Sequence, residues 1–296
     1  MNWVTYGALA GVVLGLYDFW TKKAMTGRSV LAVVFWSSVF GASAWLLALL
    51  PMAQGTPLGV RWDDTSWSDQ AYILVKGVMM TGSWMLAYYA VRELPMSFAG
   101  AMRASGPLWT LLGGALVFQE FLGPLQLIML GVSVGAYFLL SRIGTQEGIR
   151  LTRSLPMGLM LLATVLSALT TVYDKFLLQN LGLHAVNVQA WSAWHRCALS
   201  GLALAWASGR QAGAWRLRMT VWIPLVGLSW VTAECLNFLA LADPAARVAT
   251  LSVLRRVALI VGFFLSVWLI GERQVRQKSV VVGVLFMSTL VLALNP

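Results

Sequence analysis

The chain has little charge, little histidine and little cysteine, and each shortage excludes something. Charged residues fill 11% of its 296 positions, where soluble domains carry roughly 25%. Hydrophobic residues reach 59%, more than a soluble domain of this length can hide, so an integral membrane protein is expected. There are two histidines, no metal-ligand cluster, no nucleophile beside a base and no paired catalytic carboxylates. An enzyme or a cofactor site would have nothing to work with, and neither is expected. The two cysteines, Cys197 and Cys235, fall inside apolar segments and read as small core residues. No basic residue precedes the first apolar segment, which argues for a retained helix and against a cleaved signal peptide. The net charge of +10 could suggest nucleic acid. The basic residues, however, sit in short connections between apolar segments, and topology accounts for them without a nucleic-acid partner.

What the chain does have is apolar segments, at 3–20, 29–50, 70–91, 97–118, 121–141, 155–173, 186–208, 219–241, 246–270 and 277–294. A span takes about 20 mostly apolar residues. All ten read as helices, because a closed barrel would show shorter, alternating segments. Residues 1–141 and 155–296 repeat one another. Glu120 and Glu272, Gly131 and Gly283, and Arg103 and Arg255 each lie 152 positions apart, and Tyr17-Asp18 returns as Tyr173-Asp174 at an offset of 156. Five segments per half is an odd number, so the second half must insert upside down. The expected fold is all-α and integral to the membrane: ten transmembrane helices as two inverted five-helix repeats around a central cavity, joined by a cytoplasmic linker at 142–154. Inverted repeats of this kind belong to secondary transporters, with the substrate at the midplane.

The connections sort by charge. Lys22, Lys23, Arg28, Arg92, Arg142, Arg150, Arg153, Arg210, Arg216, Arg218, Arg273, Arg276 and Lys278 fall on one side, against Arg61, Lys175 and Arg247 on the other. The first side is then cytoplasmic, in a cell inner or plasma membrane, with both termini outside. The one substantial loop, 51–69, carries Trp62 and Trp67.

An ionisable group near mid-bilayer costs about 2.5–3.5 kcal/mol or more and needs a reason. Arg103, Arg196, Glu234, Arg255 and Arg256 qualify. Four arginines against one glutamate would give a shared cavity an uncompensated positive field that attracts an anion, and the guanidinium fork suits carboxylate or phosphate. Arg103 could instead snorkel to the interface, and Arg196 could form a structural pair with Glu234. Glu234 is the one acid near the middle of a span; burial and neighbouring arginines act on it in opposite directions, which suits a coupling proton. His195 is a second candidate for proton coupling. Trp84, Tyr88, Trp191, Trp194 and Asn237 complete the expected substrate-binding set, with Asn237 and Phe238 on the Glu234 face. Asp174 and Lys175, like Lys22 and Lys23, read as helix-end charges. Gly7, Gly11, Gly15, Gly113, Gly114, Gly131 and Gly135 read as close-packing faces, and Gly106-Pro107 as a break beside Arg103.

These residues resemble the EamA branch of the drug/metabolite transporter superfamily across essentially the whole chain. The resemblance rests on the two five-segment halves, on Glu120 and Gly271-Glu272 closing the fourth and ninth segments, on Gly131 and Gly283 in the segments that follow, and on Pro107. It implies a basket of helices one to four and six to nine around a central cavity, with the fifth and tenth peripheral. Plastid sugar-phosphate translocators in the same superfamily hold phosphate with basic residues on spans four and nine, where Arg103 and Arg255-Arg256 fall here. Two features depart from the pattern: Val257–Leu259 replaces Gly106-Pro107 in the second half, and the charge bias puts the termini outside. The expected function is secondary-active, alternating-access transport of a small organic metabolite, anionic through a carboxylate or phosphate. Alternatives are an exporter of amino acids or other zwitterionic or aromatic metabolites, or a flippase of a lipid-linked sugar phosphate. The expected partners are the small-molecule substrate and membrane lipids.

Overall fold

The computed structural model describes residues 2–46, 65–94, 99, 102–103, 105–119, 123–146, 154–209, 219–246, 248–255, 257–270 and 275–294. These are helical nearly throughout, with no strand among them. In chain order the helices are α1 Trp3–Met25, α2 Val30–Ala44, α3 Trp67–Glu93, α4 Gly106–Phe118, α5 Pro124–Gln146, α6 Leu155–Lys175, α7 Ala185–Ser208, α8 Trp222–Leu241, α9 Val248–Leu254, α10 Val257–Ile270 and α11 Val275–Leu294. Two stretches, Leu155–Asn180 and Trp222–Leu241, are long and apolar enough to cross a membrane by length and composition alone.

Local signals explain the helix starts. Asn2 accepts a hydrogen bond from the Val4 N–H at the start of α1, and Ser66 and Asp69 form a reciprocal capping box on α3. Proline occupies the first turn of both α4 and α6, where its missing N–H costs nothing. The break expected at Gly106-Pro107 is therefore a helix start. Glycines at positive φ turn the chain after α1 and after α6, namely Gly27 at 67° and Gly182 at 66°.

Several helices outrun their apolar segments, α1 and α6 among them. α1 continues past residue 20 to Met25 because Lys22 Nζ donates to the Val91 and Leu94 carbonyls, each at 2.7 Å, at the end of α3. α6 continues past residue 173 and passes into a π-helix, Phe176–Asn180. Lys175 is buried there, donating to the Ala246 carbonyl and lying over the Phe118 ring. Asp174 and Lys175 are thus buried charges and not the exposed helix-end charges expected, and Lys175 does not sit on an outer loop. Lys278 is buried as well.

Packing joins helices from opposite ends of the chain. α1 lies against α8 and α10, and α3 lies against α6 and α7. α2 contacts α7 and α8, and α4 contacts α6 and α9. The α3–α6 seam carries polar ties: the Tyr173 hydroxyl donates to the Tyr72 carbonyl at 3.2 Å and Ser83 Oγ donates to the Ala163 carbonyl at 2.8 Å. Position rises along α3 as it falls along α6, so the two helices are antiparallel. Gly7, Gly11 and Gly15 bring α1 within touch of Leu251, Leu254 and Val261, and Gly113 meets Val172. Gly131 and Gly135 have nothing within 4 Å of an added Cβ, so the close packing expected of them is not seen. α5 packs on α11, and a small apolar cluster of Ala136, Ile143, Leu259, Val281 and Leu285 joins this pair to α10. Arg256, Glu120, Gly271, Glu272, Trp62 and residues 147–153 of the linker lie outside the described residues.

Candidate functional site

A cavity with a water-accessible volume of about 120 Å³ opens among α1, α3, α4, α6, α8 and α10. Tyr17 and Asp18 of α1, Trp84 of α3, Arg103 ahead of α4, Trp230 of α8 and Arg255 between α9 and α10 supply its chemically distinctive lining. Ser83, Thr110, Thr164, Ser167 and Thr171 add hydroxyls. Among the described residues, none from α5 or α11 lines it.

The charges come in pairs. Arg103 Nη1 donates to Asp18 Oδ1. Arg255 Nη2 donates to Glu234 Oε1 at 2.6 Å. Lys76 Nζ lies 2.9 Å from Asp174 Oδ1 and 3.8 Å from the Phe238 ring centroid, with both charged side chains almost wholly buried. Burial gives Lys76, Asp174 and Glu234 a need for partners, since a lone charge at such a position carries its full desolvation cost, whereas Arg103 and Asp18 are more exposed. The field expected from four arginines and one glutamate is reduced, not removed: Asp18 and Asp174 are acids here too, while Arg196 meets no carboxylate among the described residues. Arg103 lines the cavity and bonds Asp18, which leaves the alternative of a snorkelling side chain without support. The expected Arg196–Glu234 bridge is replaced by Arg255–Glu234, because Arg196 points instead into an aromatic cluster. Arg103 and Arg255 lie 152 positions apart and Asp18 and Asp174 156 apart, yet the first arginine binds an aspartate while the second binds a glutamate.

That aromatic cluster forms one wall. Trp84 stacks on Tyr88 with centroids 5.5 Å apart and meets Trp230 edge-on at 4.6 Å. Tyr17 lies 5.1 Å from Trp230, and its hydroxyl bonds that of Tyr88 at 3.0 Å. The Arg196 guanidinium lies 4.2 Å from the Trp84 ring centroid and 5.8 Å from that of Trp230. The Trp230 Nε1 has no hydrogen-bond partner among the described residues.

Of the residues expected at the site, Arg103, Arg255 and Trp84 line the cavity. Arg196 and Tyr88 stand behind its aromatic wall, and Glu234 stands behind Arg255. Asn237 is fully buried, one helical turn from Glu234, and neither of its amide atoms has a hydrogen-bond partner. Trp191, Trp194 and His195 belong to α7 and do not reach the lining: Trp194 packs with Ala42, Val186 and Val231, and the Trp191 ring lies 6.2 Å from that of His195. Lys76, Asp18, Asp174, Tyr17 and Trp230 were not expected at the site. A signal existed for some of them, since Tyr17-Asp18 recurs as Tyr173-Asp174 and Lys76 is a lone cation between Val75 and Gly77.

Residues 1–142 match the model of the EamA-like transporter family. No curated protein matches the chain. Among solved structures, 29 chains match. One crystal structure is similar over 98% of this chain and 97% of its own, with a TM-score of 0.64 and 17% sequence identity. At that identity the likeness is one of fold.

Proposed function

Because residues 1–142 belong to the EamA-like transporter family of the drug/metabolite transporter superfamily, we propose that this membrane protein is a secondary carrier whose cargo is a small organic monoanion, a carboxylate on an apolar or aromatic body. The observation that carries the reading is the convergence of Arg103 and Arg255, repeat equivalents from opposite ends of the chain, on one cavity. A guanidinium takes a carboxylate in a two-point bond, and the unpartnered Trp230 Nε1 offers a further donor. The charge balance favours carboxylate over phosphate. Around the cavity, counting described residues, Lys76, Arg103, Arg196 and Arg255 face Asp18, Asp174 and Glu234, one positive charge in excess. A monocarboxylate brings the sum to zero; a phosphate monoester, with about −1.5 to −2 at pH 7, would overshoot it.

Residues 1–141 and 155–296 form the two inverted repeats, with 142–154 as the cytoplasmic linker and both termini outside. The pattern of helix contacts supports the pairing of the halves, because exchanging first-half helices for their second-half counterparts maps α1–α8 onto α6–α3 and leaves α2–α7 unchanged. The same pattern refines the motion. The units that rock are α1, α2, α8, α9 and α10 against α3, α4, α6 and α7, each drawn from both halves. Substrate on Arg255 frees Glu234, the group we assign to proton coupling, with His195 as a peripheral second. Asp18 favours one alternative, a zwitterion such as an amino acid, since its carboxylate lines the cavity and accepts an ammonium.

Thermal-shift measurements on the purified protein, with panels of monocarboxylates, phosphate esters, amino acids and organic cations, test the assignment. Stabilisation by monocarboxylates that disappears in Arg103→Ala is expected. Stabilisation by organic cations alone would overturn it.

A further inference from the structure

Lys76, Arg103 and Arg255 each hold a carboxylate, whereas Arg196 holds none among the described residues. Its side chain is fully buried. One guanidinium nitrogen donates to Met80 Sδ at 3.2 Å, while Nε and the other terminal nitrogen have no hydrogen-bond partner. An apolar side chain of similar volume would be the more stable choice for such a place. Arg196 is not part of the cavity lining, but the two indoles beside it, Trp84 and Trp230, are.

Indole faces attract cations through the ring quadrupole, and a box of aromatic rings is the usual receptor for a quaternary ammonium. Tyr17, Trp84 and Trp230, all in the cavity lining, would make such a box on their own. Here a guanidinium already occupies it from behind. A second cation in the cavity would lie within roughly 8 Å of that fixed charge, in a medium that screens far less than water, which disfavours it on the order of tenfold.

We propose that Arg196 is a specificity-determining residue: a buried guanidinium behind the Trp84 and Trp230 indoles that turns an aromatic cage suited to organic cations into one that excludes them and admits a carboxylate. The inference rests on the cavity being the substrate site and adds which side chain sets the sign of the substrate. Arg196 acts through the rings, without touching the cargo.

The test is calorimetric titration of the purified full chain in detergent with three ligands of similar bulk: phenylacetate, L-phenylalanine and benzyltrimethylammonium. Wild type should bind phenylacetate and bind benzyltrimethylammonium at least tenfold more weakly. Arg196→Gln and Arg196→Met should narrow or reverse that ratio, whereas Arg196→Lys, which keeps the charge, should retain it. The wild-type ratio needs no variant to fold. Equal affinity of wild type for the anion and the cation, or an unchanged ratio in folded Arg196→Gln and Arg196→Met, overturns the role of Arg196 while leaving the cavity as the substrate site. Binding of none of the three to wild type overturns the cavity reading itself and this inference with it.

Discussion

A charge at the edge of a buried cavity must be both available to a substrate and tolerable without one, and Arg255 meets both demands through Glu234. The glutamate side chain is 3% exposed and that of the arginine 14%, so the carboxylate is the sequestered member and the guanidinium the accessible one. Removing one partner of a buried ion pair costs about 3–5 kcal/mol, most of it from the charge left behind. Arg255→Ala should therefore melt well below wild type, and Arg255→Ala combined with Glu234→Ala should regain most of the loss. Neither should transport in proteoliposomes. Melting followed by tryptophan fluorescence reads the first effect and uptake the second; a transporting double variant would remove Arg255 from the substrate site. Stability and function separate at this position, which neither single substitution could reveal.

At the scale of helices, close approach is concentrated where glycines meet backbone. A Cβ on Gly227 of α8 would stand 2.2 Å from the Ser37 carbonyl oxygen and 2.8 Å from the Gly41 nitrogen of α2, contacts that no side-chain rotation relieves. Gly227→Ala should destabilise by about 1–3 kcal/mol or more through overpacking. Gly283→Ala, with nothing within 4 Å, should gain slightly from helix propensity alone. A comparison of their melting temperatures separates the two, and equal shifts would contradict the α2–α8 contact. Most helices were legible in the sequence because a span of apolar residues has few other ways to satisfy its backbone in lipid. The interior charges were less so. Asp18 and Asp174 each follow a long apolar run and resemble helix ends, but α1 and α6 both continue, since partners elsewhere in the bundle neutralise those carboxylates. Lys76 sits nine residues into a helix with a polar first turn, and only its contacts with α6 and α8 mark it as interior. Local pattern announces a helix; it cannot announce which distant acid a lysine will meet. For the same reason Trp191, Trp194 and His195, polar-edged residues near mid-helix, read as site residues although α7 turns them away from the cavity.

For the whole molecule, the unequal treatment of equivalent residues matters most. Arg103 is bonded to Asp18, whereas Arg255 and Asp174, the corresponding couple, are engaged with Glu234 and Lys76. If the two halves are the inverted copies proposed above, swapping their conformations generates the opposite-facing form, in which Arg255 should clasp Asp174 and Arg103 should let Asp18 go. The aspartates would then act as opposing latches, one fastened in each form. In a background with Cys197 and Cys235 replaced by alanine, Asp174→Asn combined with Lys76→Met, which leaves no buried lysine without its partner, should favour the form seen here and quicken maleimide labelling of Ser167→Cys, whose position is exposed and lines the cavity. Asp18→Asn should slow it. Two carboxylates of identical chemistry would thus push the molecule in contrary directions, their influence set only by which copy of the fold each one inhabits.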